Sequence, residues 1–160
     1  MKNKISRRSF LAAAAVSAAA LAVTGCDAKT SKKAVTDITV WNYYNGDQLE
    51  SFNRLVSTFN ETIGKATGIR VSGSSQGTVN DLEANVMDAA EGKVGSAEMP
   101  TIFAAYADTT YKLDQMGMVV DLKDYLTEDE KAAFVPGYIT EGDFDGSGSI
   151  KIFPVAKSNE

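Results

Sequence analysis

The sequence predicts an α/β fold, in which strands and helices alternate along the chain. The first observation is the unit at residues 38–63, where a strand-like alternation passes through a polar, aromatic turn into an amphipathic helix. The second is the apolar run at residues 101–106, which is typical of a central parallel strand covered on both faces. The third is a pair of capping-box patterns at Thr78 and Thr127, which predict the starts of two more helices.

In the first unit, the strand at residues 38–41 and its turn are followed by a helix. Asp47 is predicted to cap this helix, with Glu50 completing a capping box. Gly64 and Gly68 are predicted to end it. Apolar residues at steps of three and four predict its buried face: Leu49, Phe52, Leu55, Val56, Phe59 and Ile63.

The second unit is predicted to contain a short strand at residues 69–71 and a loop of small polar residues at 72–77. Thr78 and Asp81 then form the capping box of a helix. Spacing predicts that this helix buries the following side chains: Val79, Leu82, Val86, Ala89 and Ala90.

The remaining elements are shorter. Asp108 is predicted to cap a helix that ends at Gly117, after which residues 118–122 pack back onto the domain. The helix that begins at the capping box of Thr127 is predicted to stop before Pro136. Residues 150–153 are predicted to form the last strand.

Composition excludes several kinds of chemistry. The 160 residues include no His and one Cys, which excludes Ser-His-Asp and Cys-His catalysis, His-based zinc sites and CxxC redox chemistry. The first 25 residues hold four of the 16 basic residues and no acid, which leaves 12 basic and 21 acidic residues and a net charge of −9. An acidic body of this kind argues against nucleic acid as a partner.

The N-terminus has the pattern of a bacterial export signal. Basic residues 1–8 precede the apolar, Ala-rich run at 10–23, which is too short to span a bilayer. The run ends in Leu-Ala-Val-Thr-Gly-Cys, which resembles a lipobox and predicts that Cys26 is lipidated. The alternative is an ordinary secretory signal with a chance Cys; since Cys26 has no possible disulfide partner in the chain, lipidation is favoured.

The export route stays open. Residues 6–11, Ser-Arg-Arg-Ser-Phe-Leu, resemble a twin-arginine motif, but a basic n-region with two Arg is an equal alternative. Either route predicts the same location, outside the cytoplasmic membrane and held by lipid. Residues 1–25 are therefore interpreted as a lipoprotein signal peptide, and the polar residues 26–36 as a flexible tether.

One motif resembles a calcium site. Residues 143–150 match the first eight positions of an EF-hand loop, but Pro154 stands at position twelve, where a chelating Glu is needed. A turn built from Asp and Gly is the favoured interpretation, with a calcium-binding module as the alternative. We expect no metal site and no cofactor, because the calcium-like loop lacks its chelating Glu and the sequence has no phosphate-binding glycine fingerprint.

The predicted binding surface lies at the carboxyl ends of the strands, where open parallel sheets bind ligands. Three stretches meet that condition, at residues 42–46, 74–77 and 106–108. Tyrosine rings could stack on a sugar, and amide, carboxylate and backbone groups could bond its hydroxyls. The alternatives are that Tyr106 belongs to the core and that Asp108 only caps its helix. The candidate ligand-binding residues are Tyr43, Tyr44, Asn45, Gln76, Gly77, Tyr106 and Asp108.

Several short motifs occur in a characteristic order after the lipobox. They are Thr-Val-Trp-Asn-Tyr-Tyr at 39–44, Phe-Asn-Glu-Thr at 59–62, Tyr-Ala-Asp at 106–108, Gly-Met-Val-Val-Asp-Leu at 117–122 and Phe-Pro-Val-Ala-Lys-Ser at 153–158. In this order and spacing the chain resembles the family 1 extracellular solute-binding proteins, the substrate receptors of ABC importers.

The resemblance implies a type II periplasmic-binding-protein-like fold, with two α/β lobes that close on a ligand. Residues 37–160 match only the first lobe, so we expect a product truncated before the second lobe. It also implies a sugar, oligosaccharide or glycerol-phosphate solute, a membrane permease and an ATPase as partners, and no enzymatic activity. The alternative from a different functional class is a lipoprotein carboxylate hydrolase on an α/β scaffold.

Overall fold

The computed structural model describes residues 34–155 of the chain. In this range, three parallel strands form one sheet in the order β2-β1-β3. The strands are β1 at Thr36–Asn42, β2 at Ile69–Ser75 and β3 at Ile102–Phe103. Parallel strands joined by helices confirm the predicted α/β class.

Helices fill the connections. The first connection contains α1 at Gly46–Phe59, a π-helical turn at Asn60–Gly64 and the short α2 at Lys65–Thr67. The later helices are α3 at Val79–Ala90, α4 at Ala107–Gln115, a 3-10 turn at Lys123–Tyr125, α5 at Glu128–Ala132 and α6 at Pro136–Ile139. No helix within residues 34–155 is long and apolar enough to cross a membrane.

Several predicted features lie outside the described residues. These are the signal peptide at residues 1–25, the lipidation site Cys26, most of the tether at 26–36, and the end of the Phe-Pro-Val-Ala-Lys-Ser motif.

The strand β1 is the centre of the sheet. Its residues pair with all of β2, from Thr36 opposite Ile69 to Asn42 opposite Ser75, and with both residues of β3. The prediction that residues 101–106 form the central strand is therefore wrong. Apolar sequence alone does not specify which strands are neighbours, and this segment pairs over two residues at the sheet edge, where Ile102 is 52% exposed.

The first helix starts differently from the prediction. Gly46 takes a φ of 52°, a left-handed conformation that glycine adopts readily, and the helix begins there. Asp47 consequently lies inside the first turn, and its predicted capping box with Glu50 is wrong. Glu50 instead pairs with Arg54 at 2.8 Å. Two members of the predicted buried face are also exposed: Leu55 at 70% and Ile63 at 59%.

The helical segment does not end at Gly64, as was predicted, because the π-helical turn is followed directly by α2. Gly64 packs so closely on β2 that a Cβ atom would lie 2.5 Å from the carbonyl oxygen of Ile69. The helical segment ends at Gly68, whose φ of 79° is typical of a helix C-terminus. A π-helical turn contains more residues than an α-helical turn, and it therefore changes which side chains face the neighbouring strand. In this chain the π-helical turn begins at Asn60.

Asn60 closes the outer edge of β2. Its Nδ2 donates to the carbonyl of Val71, and its Oδ1 accepts from the Val71 N–H, both at 2.8 Å. The carboxamide thus occupies the place of a neighbouring strand, since β2 has a strand on only one side in the described part of the chain.

Strand β2 is longer than predicted, because residues 72–75 belong to the strand and not to a loop. Gly73 gives the physical reason. A Cβ atom at this position would collide with the ring of Phe52, so the glycine lets α1 pack directly on the strand. The glycine is thus required for the packing of α1 on β2, although a run of small residues in the sequence resembles a turn.

The buried core lies on the other face of the sheet, between β1, α3 and α4. It consists of Trp41, Leu82, Val86, Ala90 and Leu113. The predicted buried face of α3 is confirmed by three of its members, and the capping boxes predicted at Thr78 and Thr127 are present.

The C-terminal residues lie against the domain without forming the predicted strand at 150–153. The N–H of Leu122 donates to the carbonyl of Ile150, and Asp121 accepts from the Ile150 N–H. A largely buried ion pair joins Lys151 to Asp114 at 2.6 Å. A side-chain hydrogen bond, an ion pair and one backbone hydrogen bond therefore hold this segment, instead of the backbone hydrogen bonds of a paired strand. The helix α5 does stop before Pro136, but the proline opens α6.

We expect Asn60→Ala to lower the free energy of unfolding by about 1–3 kcal/mol, because both polar groups of Val71 lose their partner. Chemical denaturation measures this loss. Asn60→Asp should also destabilise at neutral pH, since a carboxylate would face the Val71 carbonyl. The matched control is Asn53→Ala, at an exposed position of α1. Equal effects of Asn60→Ala and Asn53→Ala would refute the role of Asn60.

Candidate functional site

The carboxyl ends of the three strands meet at one edge of the sheet, and all three predicted stretches lie there. The carbonyl of Asn42 accepts from the N–H of Gln76 at 2.7 Å, and the carbonyl of Trp41 accepts from Ala104 at 3.0 Å. The end of β1 therefore fixes where the chain leaves both β2 and β3. We refer to this edge, formed by residues 42–46, 74–77 and 104–108, as the strand-end edge.

The turn after β1 is held by side chains. Asn42 accepts from the Tyr44 N–H at 3.0 Å, and the Ser75 hydroxyl donates to the Tyr44 carbonyl at 2.8 Å. Asn45 donates to the carbonyls of Tyr43 and Gly77, both at 3.0 Å. The predicted ligand residue Asn45 thus joins two loops of the strand-end edge.

Sequence reasoning missed Asn42. Its side chain is 2% exposed, and its Nδ2 is the only buried side-chain polar atom without a hydrogen-bond partner in residues 34–155. The signal available in the sequence was an amide at the end of a strand whose other residues are apolar or β-branched. Its carbonyl oxygen orients the turn that carries both tyrosines.

The two adjacent tyrosines face different surroundings. Tyr43 packs against the core cluster, and Tyr44 lies against Phe52 with ring centroids 5.6 Å apart. Burial raises the pKa of the Tyr43 phenol, and the nearby phenols of Tyr44 and Tyr106 raise it further. Tyr106 is 59% exposed, so the alternative that it belongs to the core is wrong.

In the loop after β2, the side-chain amide of Gln76 contacts α3. The Gln76 Nε2 donates to the Ser74 hydroxyl, and its Oε1 accepts from Asn85, both at 3.0 Å. Gly77 takes a φ of 98°, which favours glycine, and a Cβ atom there would approach the Asp81 carboxylate to 3.0 Å.

The prediction that Asp108 caps α4 is wrong. The cap position is Tyr106, which makes no side-chain cap bond, and Asp108 lies exposed in the first turn. The buried polar residues of this turn are instead threonines that the sequence did not single out. Thr109 donates to Glu83 of α3 at 3.0 Å, and Thr110 donates to the Tyr106 carbonyl at 3.0 Å. Asp108 is therefore available at the strand-end edge, where the helix N-terminus favours its negative charge.

The strand-end edge contains aromatic rings, amides and hydroxyls but no cation. Residues 42–46, 74–77 and 104–108 include no Lys or Arg, and Asp108 is the one charged residue among them. Across the described residues, no group of three or more His, Cys, Asp or Glu side chains could hold a metal ion. The chemistry that this edge offers is stacking and hydrogen bonding.

Solved structures share this architecture. One is a cyclic α-maltosyl-1,6-maltose binding protein from Arthrobacter globiformis, with 20% identity, a TM-score of 0.57 and coverage of 70% of this chain. Another is the maltose/maltodextrin-binding domain MalE from Bdellovibrio bacteriovorus bound to maltotriose, with 18% identity, a TM-score of 0.54 and 71% coverage. A third is CpMnBP1 with mannotriose bound, with 14% identity, a TM-score of 0.53 and 72% coverage.

The chain shares the fold of one part of these binding proteins. It spans 27% of the length of each. No protein-family profile matches the sequence, and no curated protein sequence matches it. In this binding-protein fold, the described residues supply one parallel sheet and its strand-end edge.

The calcium-like loop folds as a set of turns. Asp145 accepts from the Ser147 N–H at 3.0 Å, and Asp143 accepts from the Gly148 N–H at 3.1 Å. The Lys123 ammonium donates to the Ser147 carbonyl at 3.1 Å, which places a positive charge beside the loop. Both observations agree with an Asp-Gly turn, and the calcium independence of this loop stays a prediction.

The start of α3 beside the strand-end edge depends on a charged capping box. The Asp81 carboxylate accepts from the Thr78 N–H at 3.0 Å and from its hydroxyl at 2.7 Å. These hydrogen bonds, that of the hydroxyl first, lower the pKa of Asp81 below its usual range.

Because the pKa of Asp81 is lower in the folded state, its contribution to stability is present above its unfolded pKa and is lost as pH falls through the folded pKa. We expect Asp81→Asn to destabilise the protein at neutral pH. The difference from the unsubstituted chain should shrink as pH falls below about 4. Thermal unfolding at stepped pH measures it, and a difference that does not change with pH would contradict this account.

Proposed function

We propose that this chain is the lipid-anchored, substrate-binding component of an ABC importer that captures a carbohydrate. The observation that supports this most directly is the strand-end edge, where tyrosine rings and side-chain amides converge without a cation. The fold supports it further, because two of the similar structures were solved with trisaccharides bound. A membrane permease and its ATPase are the partners that this role requires.

The proposed mechanism is capture without covalent chemistry. Tyr44 and Tyr106 offer apolar ring faces on which a sugar ring can stack, and the phenol hydroxyls can bond its hydroxyls. Asp108 provides a carboxylate for two further hydrogen bonds. In a two-lobe protein the second lobe would close over this edge and exclude water from the ligand.

The absence of cations favours a neutral sugar over a glycerol phosphate. A phosphate is typically bound by Arg, Lys or a helix N-terminus with free N–H groups. The strand-end stretches contain no Arg or Lys. The helix α4, whose N-terminus has no side-chain cap, carries Asp108 in its first turn. Asp108 would in addition repel a phosphate. We therefore place neutral oligosaccharides ahead of glycerol-phosphate compounds as ligands.

The nearby carboxylates do not favour the hydrolase alternative. A glycosidase of this type needs two carboxyl groups that face the substrate. Asp81 is engaged by Thr78, and Glu83 accepts from Thr109. Asp108 is the one carboxylate within the residues that form the strand-end edge. The proposed role is therefore non-catalytic.

The test titrates the isotope-labelled chain with maltotriose, mannotriose and glycerol phosphate while backbone amide signals are recorded by NMR. A neutral sugar should shift the amides of Tyr44, Asn45 and Tyr106 in a saturable way. Tyr44→Ala and Asp108→Ala should each weaken binding by about tenfold, the effect of one stacking or charge-assisted contact.

The matched control is Tyr125→Ala, at an exposed tyrosine outside the strand-end edge. Glycerol phosphate should cause no saturable shift. If a sugar binds and all variants bind it equally while remaining folded, the placement of the site is wrong. Stronger binding of glycerol phosphate than of either sugar would overturn the ligand class.

Anchoring at the outer face of the cytoplasmic membrane is the second part of the proposal. It rests on the sequence pattern that ends in Cys26. Cys26→Ala should release the protein from membranes or leave the signal uncleaved, because a thioether to diacylglycerol can no longer form. Membrane fractionation and a lipid label measure this outcome, with Ser31→Ala as a control in the same polar segment. Unchanged fractionation and labelling in Cys26→Ala would refute the anchor.

A further inference from the structure

A groove opens beside the core on the face of the sheet that carries Trp41. It has a volume of about 360 Å³, within the range of small-ligand pockets. Gln76 lies at one end, and Asn85 and Asp88 line it from one side of α3. The turn at residues 93–97 closes it, and Trp41, which is 9% exposed, contributes to its wall. The groove adjoins the strand-end edge at Gln76, which belongs to both, but Tyr44, Tyr106 and Asp108 do not line it.

The polar lining of the groove is ordered by its own hydrogen bonds. The chain Asn85–Gln76–Ser74 joins α3 to the end of β2 through two bonds of 3.0 Å. The hydroxyl and N–H of Ser96 bond to the Lys93 carbonyl at 2.8 and 3.0 Å, which fixes the turn. Amide groups held in this way still have acceptor and donor capacity toward the groove, since each carboxamide has four positions.

The charges that line the groove are already compensated. The Lys93 ammonium lies 2.6 Å from the Asp88 carboxylate and 3.1 Å from that of Glu91. No unpaired cation is therefore available there for an anionic ligand. A lining of amides, a hydroxyl, an ion pair and one indole matches a neutral polyhydroxylated ligand, whose hydroxyls both donate and accept and whose C–H faces pack on an aromatic ring.

We propose that this groove is a second, peripheral site for a short neutral sugar, which adjoins the strand-end edge at Gln76 but is not lined by the tyrosines of that edge. Gln76 and Asn85 bond the sugar hydroxyls, Asp88 accepts from one of them, and Trp41 packs against the ring. Gln76, which sequence analysis placed among the ligand residues, acts in this site. The inference is independent of the anchoring and transport roles proposed above.

The experiment uses the full isotope-labelled chain titrated with maltotriose. Trp41 is the one tryptophan of the sequence, so its indole N–H signal identifies itself. We expect saturable shifts of this signal, of the Gly95 and Ser96 amides and of the Gln76 and Asn85 carboxamides. Asn85→Leu, which removes the amide and narrows the groove, should weaken these shifts by about tenfold or more. Asn85→Asp, which keeps the shape and loses the donor to Gln76, should weaken them less.

The matched control is Ala84→Leu, which adds the same side chain at an exposed position of α3 outside the groove and should change nothing. Groove shifts that Asn85→Leu abolishes and Tyr44→Ala preserves would support the second site. Shifts confined to Tyr44, Asn45 and Tyr106 would overturn this inference and leave the proposed function standing. Shifts confined to the groove would support the second site and overturn the proposed site at the strand-end edge. If neither place shows a saturable shift, both sites are overturned.

Discussion

The pairing of β1 with a strand on each side is the constraint on which the rest of the structure depends. Parallel pairing places the carboxyl ends of all three strands at one edge, and the last two carbonyls of β1 hold the first residues that leave β2 and β3. The turn after β1 is then tied to the loop after β2 through Asn45. Residues more than 30 positions apart in sequence become neighbours because of this one strand.

Side chains complete the sheet where backbone pairing ends. Asn60 satisfies both outward polar groups of Val71 on the edge strand β2. At the other side, the side chains of Thr39 and Thr101 exchange bonds with backbone N–H groups, at 3.2 and 2.9 Å, just before the short β3 begins. Both arrangements satisfy backbone groups without another strand, which matters because an open strand edge promotes association with other chains.

The same polar residue types serve structure and recognition at the strand-end edge. Asn45 and Gln76 are both used in internal hydrogen bonds, while Tyr106 and Asp108 remain exposed. Such internal bonds hold the binding groups in position before a ligand arrives, which lowers the entropy lost on binding. An edge that is aromatic, amide-rich and free of cations is consistent with selection for neutral hydroxyl groups.

The sequence by itself determined the elements that are specified by residues within a short stretch of the chain. The strand at β1, the capping boxes at Thr78 and Thr127 and the buried face of α3 depend on spacing within one or two helical turns, and all were predicted. The tertiary structure decided the order of the strands, the π turn that places Asn60, the burial of Asn42 and the path of residues 150–153. Each of these depends on a contact with a segment distant in sequence, such as the hydrogen bonds of Asn60 with Val71, which no local pattern encodes.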